Sequence, residues 1–428
     1  MKISKRKMRI LVIGGLLLGV FILFAGVANA EKIELSFWYW GTHERKALID
    51  ELARRFSAKY PNIEVKPQLF PWAGFAEKVF TATAAGMAPD AHFISTGQAV
   101  TWGTKGVALD LAPYLKKTGL WDDIWPGRRH MGYYQGKQYS VPLSATISAF
   151  WYNKKTFEEV GLNPMKGPET WDEVMEYAKK LVKYDEKGKI IRSGFYYTHD
   201  ELSINHFPSI LWTFGSDLFD PETKEVLFNN PGGVEMLQWY YDLEREYKVY
   251  APVEKLQYWE AMMQGYGAML SYGIWTIRFY VRENFKDYAV AASPAHKGKR
   301  VVQIEGMEMG CNARSKHPEE ACDWVAYLMS PEAQVYFQSV NFTIPGTRSA
   351  FESEGFQELL KKWDPKVKDI LWEDLPAARA FTTHPATVEV WDLWVEAWEN
   401  SVRTGKMSPK EALDLEAKRA TQILAEKY

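Results

Sequence analysis

Cysteine is nearly absent from this chain: Cys311 and Cys322 are the only two in 428 residues. That is too few for a disulfide scaffold. In an oxidising compartment they either pair or stay as two buried thiols, and the sequence leaves both open. Histidine is also scarce, with eight residues scattered without the spacing of metal ligands. The chain contains no GxSxG, no HExxH and no P-loop, so no catalytic signature stands out. Internal repeats and low-complexity linkers are missing as well, which excludes a string of small modules.

What is present begins with a basic cluster, Lys2, Lys5, Arg6, Lys7 and Arg9, then an apolar run from Ile10 to Val27, then Ala28-Asn29-Ala30. These are the three regions of a secretory signal peptide, with the mature chain expected from Glu31 and an uncleaved membrane anchor as the alternative. No cysteine follows the cleavage site to carry a lipid. Without the leader's five basic residues, 47 Lys and Arg face 54 Asp and Glu, a net charge of −7. A mildly acidic exported protein is poorly suited to nucleic acid or anionic membranes. About 400 mature residues exceed what one core usually serves, so two domains are expected.

Aromatic residues are abundant: 18 Trp, 23 Tyr and 22 Phe. Most must be core, yet the excess suits a ligand with flat apolar faces and a polar rim. Ile33 to Trp38 reads as a strand covered on both faces. Thr42 is placed to cap the helix that follows, in which Leu48, Leu52 and Phe56 recur every four residues. A second strand begins at Ile63, making a βαβ unit. Trp40 and Gly41 then fall at the carboxyl end of a parallel strand, where open α/β sheets bind ligands.

The pattern continues with a helix over Phe75 to Ala85 and a strand over Ala91 to Ser95 that opens into Thr96-Gly97-Gln98. Thr170 and Glu173 read as a capping box over a helix whose Trp171, Val174, Met175, Ala178, Leu181 and Val182 form one face. Pro318 starts another helix, with Ala321, Trp324, Val325 and Leu328 inward.

The strings "AAGMAPDAHFISTGQAV", "YYQGKQYSVPLSATISAFWYNKKTFEEVGL", "TWDEVMEYAKKL", "FNNPGGVEMLQWYYDL", "GAMLSYGIW", "SKHPEEACDWVAYLMSPEAQ" and "GKMSPKEALDL" resemble, in order and spacing, the extracellular solute-binding proteins (family 1) of bacterial ABC sugar importers. The maltose-binding-like branch is the nearest in pattern, over essentially the whole mature chain. The resemblance implies an α/β, two-lobed periplasmic binding protein fold of type II, with the ligand cleft between the lobes. It implies a leader at 1–30, one lobe from 31–142 and 291–362, and a second from 143–290 and 363–428. It also implies a monomer that captures a carbohydrate ligand, a di- or oligosaccharide, and delivers it to membrane permease subunits, with no catalysis, metal or cofactor of its own.

Carried over residue by residue, the resemblance brings Trp40, His43, Thr96, Gly97, Gln98, Thr146, Trp275, Gly306, Met307 and Trp391 to the cleft. Trp275 and Trp391 would stack on sugar faces; Trp391, Trp394 and Trp398 also form a helical stripe that suits a core. Trp72 could edge the cleft, and Arg348 reads as a loop tie. Where maltose-type proteins grip hydroxyls with charged residues, this chain has Gly97, Gln98 and Thr146. Burying a pyranose face against indole contributes about 1 to 2 kcal/mol, and rim groups that donate and accept supply the discrimination. A phosphate ester would call for Arg or Lys at the mouth and a polyamine for a carboxylate cage. The alternatives are a binding protein for such a non-sugar solute, a glycerol phosphate or a polyamine, and a secreted glycan hydrolase, since carboxylate pairs are too common among 54 acids to exclude it.

Overall fold

The computed structural model describes residues 32–95, 98–198, 207–253, 256–375, 378–381 and 384–428. The expected leader lies outside them. Strand β1 (Ile33–Trp40) alternates: Leu35, Phe37 and Tyr39 are buried while Ser36, Trp38 and Trp40 are half-buried. This corrects the expectation of a strand covered equally on both faces. The buried set packs under α1 (His43–Lys59), whose Leu48, Leu52 and Phe56 point inward. Thr42 stands at the N-cap of α1 without a side-chain capping bond, so the helix start rests on other contacts. On the other face of β1, Trp40 meets Phe75 of α2 (Phe75–Ala84), and Trp38 lies against Phe70 at the end of the adjacent strand.

Strand β2 (Ile63–Phe70) and β3 (Ala91–Ser95) run parallel to β1 on either side. The five-stranded sheet is completed by β4 (Val141–Pro142) and β11 (Met307–Cys311), in the order β2-β1-β3-β11-β4. Helices α6 (Pro318–Leu328) and α7 (Pro331–Asn341) cover it, burying Ala321, Trp324, Val325 and Leu328 as their spacing predicts. Cys311 and Cys322 lie in this lobe as buried free thiols, their sulfurs 3.7 Å apart.

The second lobe is built on β5 (Ser144–Asn153), buried at every position because it is flanked on both edges and both faces. It sits in an eight-stranded sheet with β6 (Lys183–Tyr184), β7 (Ile190–Phe195), β8 (Gly267–Gly273), β10 (Gln303–Glu305) and β13 (Arg379–Ala380), in the order β13-β10-β5-β8-β7-β6. Strands β9 (Tyr288–Ala291) and β12 (Ile344–Pro345) also pair with β5. Helix α4 (Trp171–Leu181) packs here on Trp171, Val174, Met175, Ala178 and Leu181, whereas Val182 has left the helix. Thr170 accepts from the amide of Glu173 at 3.1 Å, but the Glu173 carboxylate returns to the amide of Glu169 at 2.6 Å, so the second arm of the expected box falls one residue early.

The chain passes between the sheets at three adjacent places, and two differ from expectation. The first lies at Leu143, between β4 and β5, close to the expected position. The second is at Gly306, between β10 and β11, not at 291. The intervening segment stays with the second lobe because Ala295 bridges Thr170 and His296 bridges Lys299. The third follows α7, not 362, because Ile344, Phe356, Leu360 and Trp363 pack into the second core with Val367 and Leu371.

Candidate functional site

The three crossings form a short junction. Glu308 pairs with Pro142 in the first sheet, Glu305 with Thr146 in the second, and Pro345 with Ser144 beside them. Where the ladders stop, backbone carbonyls need other donors. Gln334 and Gln338 of α7 supply them, donating at 3.4 Å to the carbonyls of Pro142 and Leu143. Gly306 makes the turn because no side chain fits there: a Cβ would stand 2.0 Å from the carbonyl oxygen of Ser144. Arg128, fully buried, donates to that carbonyl at 2.9 Å and to Glu308 at 2.5 Å. Ser140 donates to the other Glu308 oxygen at 3.1 Å.

Of the sequence-derived residues, Thr146, Trp275, Gly306 and Met307 adjoin this junction. Trp40 ends β1, half-buried, with Trp72, Phe75 and Phe93 edge-on to it at 4.9, 5.1 and 5.2 Å. Trp72 itself is 53% exposed. His43 opens α1 in solvent. Gln98 precedes α3 (Ala99–Thr104), half-buried; Thr96 and Gly97 lie outside the described residues. Met307 pairs with Ser95, which sets Gly306 and Met307 beside the end of β3. Thr146 is buried in β5, and its hydroxyl has no hydrogen-bond partner among the described residues.

Trp275 follows β8 and is half-buried, its indole folded back over Gly273, where a Cβ would lie 2.2 Å from Nε1. Its Nε1 donates to Glu305 at 3.5 Å. Trp391 is placed differently. In α8 (Thr387–Trp398) it is 5% exposed and stacked on Trp394 at 4.7 Å, part of the second core. Arg348 is exposed and lies over the Trp125 ring at 5.2 Å, as a loop tie would.

Sequence reasoning missed the polar residues that join the two sides. Arg45, on the first turn of α1, donates to the carbonyl of Trp40 and to Oδ1 of Asn341, both at 2.9 Å. Arg278, on α5 (Ile277–Arg282), donates to the same Asn341 oxygen at 3.2 Å. The Arg278 guanidinium also lies 5.1 Å from the Trp275 ring centre. A continuous relay therefore runs from Trp40 through Arg45, Asn341 and Arg278 to Trp275, from one lobe to the other. The available signal was local: Arg278 is one helical turn beyond Trp275, and Arg45 one turn beyond Gly41. That Asn341, nearly 300 positions from Arg45, stands between them is set by tertiary structure.

Burial dominates the electrostatics. It pulls Arg45 down to about 9, with repulsion from Arg278 acting in the same direction. It pushes Glu305 up to about 8, against the hydrogen bond from Trp275 and the attraction of Arg128. Glu308 rises to about 7 for the same reason, opposed first by Arg128. Further out the lobes touch through the Thr101 hydroxyl on the carbonyl of Pro385 at 3.2 Å, and through Glu44 and Arg282 at 3.8 Å.

Trp40 and Trp275, one from each lobe, are thus joined by polar groups contributed from both sides. The chain is 26% identical over 240 residues to a putative binding protein of Brucella abortus, covering 53% of each chain. It thus spans about half the length of that curated relative. It is 24% identical over 428 aligned positions to the sn-glycerol-3-phosphate-binding periplasmic protein UgpB of Shigella flexneri, covering 93% of this chain and 94% of the relative. Among solved structures, an ABC transporter solute-binding protein from Thermotoga lettingae bound with alpha-D-tagatose superposes with a TM-score of 0.79 at 24% identity, over 92% of this chain and all of the other. The family model described as "bacterial extracellular solute-binding protein" matches residues 40–335, more than half of the chain, and the chain belongs to that family.

Proposed function

We propose that the protein is the substrate-binding subunit of an ABC importer, capturing a sugar, a di- or oligosaccharide, between its lobes. The observation that carries this reading is the relay from Trp40 to Trp275, which ties an aromatic ring of each lobe to one shared polar group. A solute lying there would touch Trp40 and Trp72 from one side and Trp275 from the other. Gln98, Thr146, Glu305 and His43 supply rim groups, with Gly306 and Met307 at the turn between the lobes. Thr96 and Gly97 belong to the same proposal by sequence position alone.

A ligand that touches both lobes binds the closed arrangement more tightly than the open one and shifts the population toward closure. The three crossings at Leu143, Gly306 and the end of α7 are the proposed hinge. Closure would present both lobes at once to permease subunits, and the exported chain would begin at Glu31 on the outer side of the membrane. The Thermotoga lettingae relative was solved with a sugar, which supports a sugar here.

The test is a thermal-shift screen of the leader-free protein against neutral mono- and oligosaccharides, with tryptophan fluorescence and product analysis on every hit. A ligand that binds only the folded form raises the melting temperature. Stabilisation by a saccharide that is recovered intact supports the proposal. Cleavage of the saccharide would replace it with a hydrolase.

A further inference from the structure

We infer that Arg45 and Arg278 form a subsite for a compact anionic group, phosphate or carboxylate, carried by the captured solute. This deepens the function proposed above and rests on it. The two guanidiniums come from opposite lobes and converge on one neutral oxygen, Oδ1 of Asn341, at 2.9 and 3.2 Å. Among the described residues neither has a carboxylate within ion-pair distance. Their neighbour Arg282 is different, with Glu283 at 2.8 Å and Glu44 at 3.8 Å.

Two cations so placed repel each other, and burial removes the water that would screen them. Arg45 is only 6% exposed. Its Nε–H has no acceptor among the described residues, an uncompensated donor on a charged group that is more than nine-tenths buried. Such an arrangement costs stability unless something negative enters. Its persistence is explained by a ligand that brings the missing charge.

The geometry is also prepared for that ligand. The stem of Arg45 runs beneath the backbone of Gly41, where a Cβ would meet Cδ at 2.7 Å, so the side chain is held in one path. Its Nη1 is fixed by the Trp40 carbonyl. Arg278 lies over Phe279 at 4.5 Å and Trp275 at 5.1 Å, and such stacking occupies the faces of a guanidinium while leaving donors along its edge. Planar forks are suited to bidentate contact with carboxylate or phosphate oxygens. The same Trp275 would hold the apolar face of the solute, which places the anion one ring width from the stacking platform.

Matched probes test this on the unaltered leader-free protein at low ionic strength: glycerol against sn-glycerol 3-phosphate, glucose against glucose 6-phosphate and glucuronate, and inorganic phosphate alone. Calorimetry and thermal shift should show the anionic member of a pair binding at least tenfold more tightly than its neutral partner, with affinity falling as salt rises. Binding of the phosphates alone, or of glucuronate alone, upholds the subsite and names its anion. Arg278→Gln should weaken the preferred anion at least tenfold. Equal affinity for charged and neutral partners, or an undiminished Arg278→Gln, overturns the subsite. If Arg278→Gln does not fold, the matched pairs decide by themselves. Binding of neutral saccharides only would sink the subsite and leave sugar capture standing, whereas failure of every probe and every saccharide would sink both.

Discussion

Arg128 and Glu308 meet at the junction of the lobes, Nη2 to Oε1 at 2.5 Å, with both side chains fully buried. The same guanidinium holds the carbonyl of Ser144, so one residue grips two of the three crossing strands. Removing one partner of a buried pair leaves an uncompensated charge and costs about 3 to 5 kcal/mol. Arg128→Met is expected to lose that much in denaturant unfolding. Pairing it with Glu308→Leu should recover a large part of the loss.

Stability should fall as the pH rises through neutrality. Burial holds the Glu305 carboxyl at about 8, above its ordinary value of 4.5. Between those values the folded protein keeps a proton that the unfolded chain has released. Unfolding free energy therefore decreases as pH rises from about 5 to 8 and is regained on acidification. Glu308 shifts in the same direction and adds to the slope. Glu305→Gln should flatten the profile in part, as read from denaturation midpoints at a series of pH values; an unchanged slope would refute the assignment.

Trp275→Ala should weaken solute binding by about tenfold, the worth of one partly covered sugar face, with a small change in melting temperature. Gly273→Ala should mimic it, since its Cβ would stand 2.2 Å from the indole nitrogen and expel the ring. Isothermal titration of both variants checks this; affinity retained in both would remove Trp275 from the site.

Trp391→Ala is expected to act on stability instead. The ring is 5% exposed and stacked on Trp394, and deleting a buried Trp costs about 3 to 5 kcal/mol. Normal unfolding with lost affinity would return Trp391 to the cleft.

Gly41→Ala should displace the Arg45 side chain, whose Cδ would lie 2.7 Å from the new methyl. The expected penalty is about 1 kcal/mol or more, since φ at Gly41 is +155° and the contact adds to backbone strain. In an Arg45→Ala background the penalty should shrink, because the clash partner is gone. A double-mutant cycle in thermal unfolding measures the difference.

The local signals were legible along the chain. Spacing located α1, α4 and α6 with most of their inward residues, and the run at Ile33 announced a strand. These are properties of neighbouring residues, whose backbone preferences and apolar periods act over a few positions. The collinear strings carried the two-lobed α/β fold, because a family likeness summarises many such local choices at once.

Contacts between distant segments were decided only by the folded molecule. Whether Trp391 faces solute or core depends on Phe381 and Trp394, and period alone cannot distinguish the two. The second crossing moved to Gly306 because Ala295 finds Thr170, a pairing across more than a hundred residues. Read in sequence, the expected cleft residues were uncharged, whereas the tertiary structure brought Arg45 and Arg278 together on Asn341. Local sequence determines which way a side chain points from its own helix; only the packing of the lobes determines what it meets there.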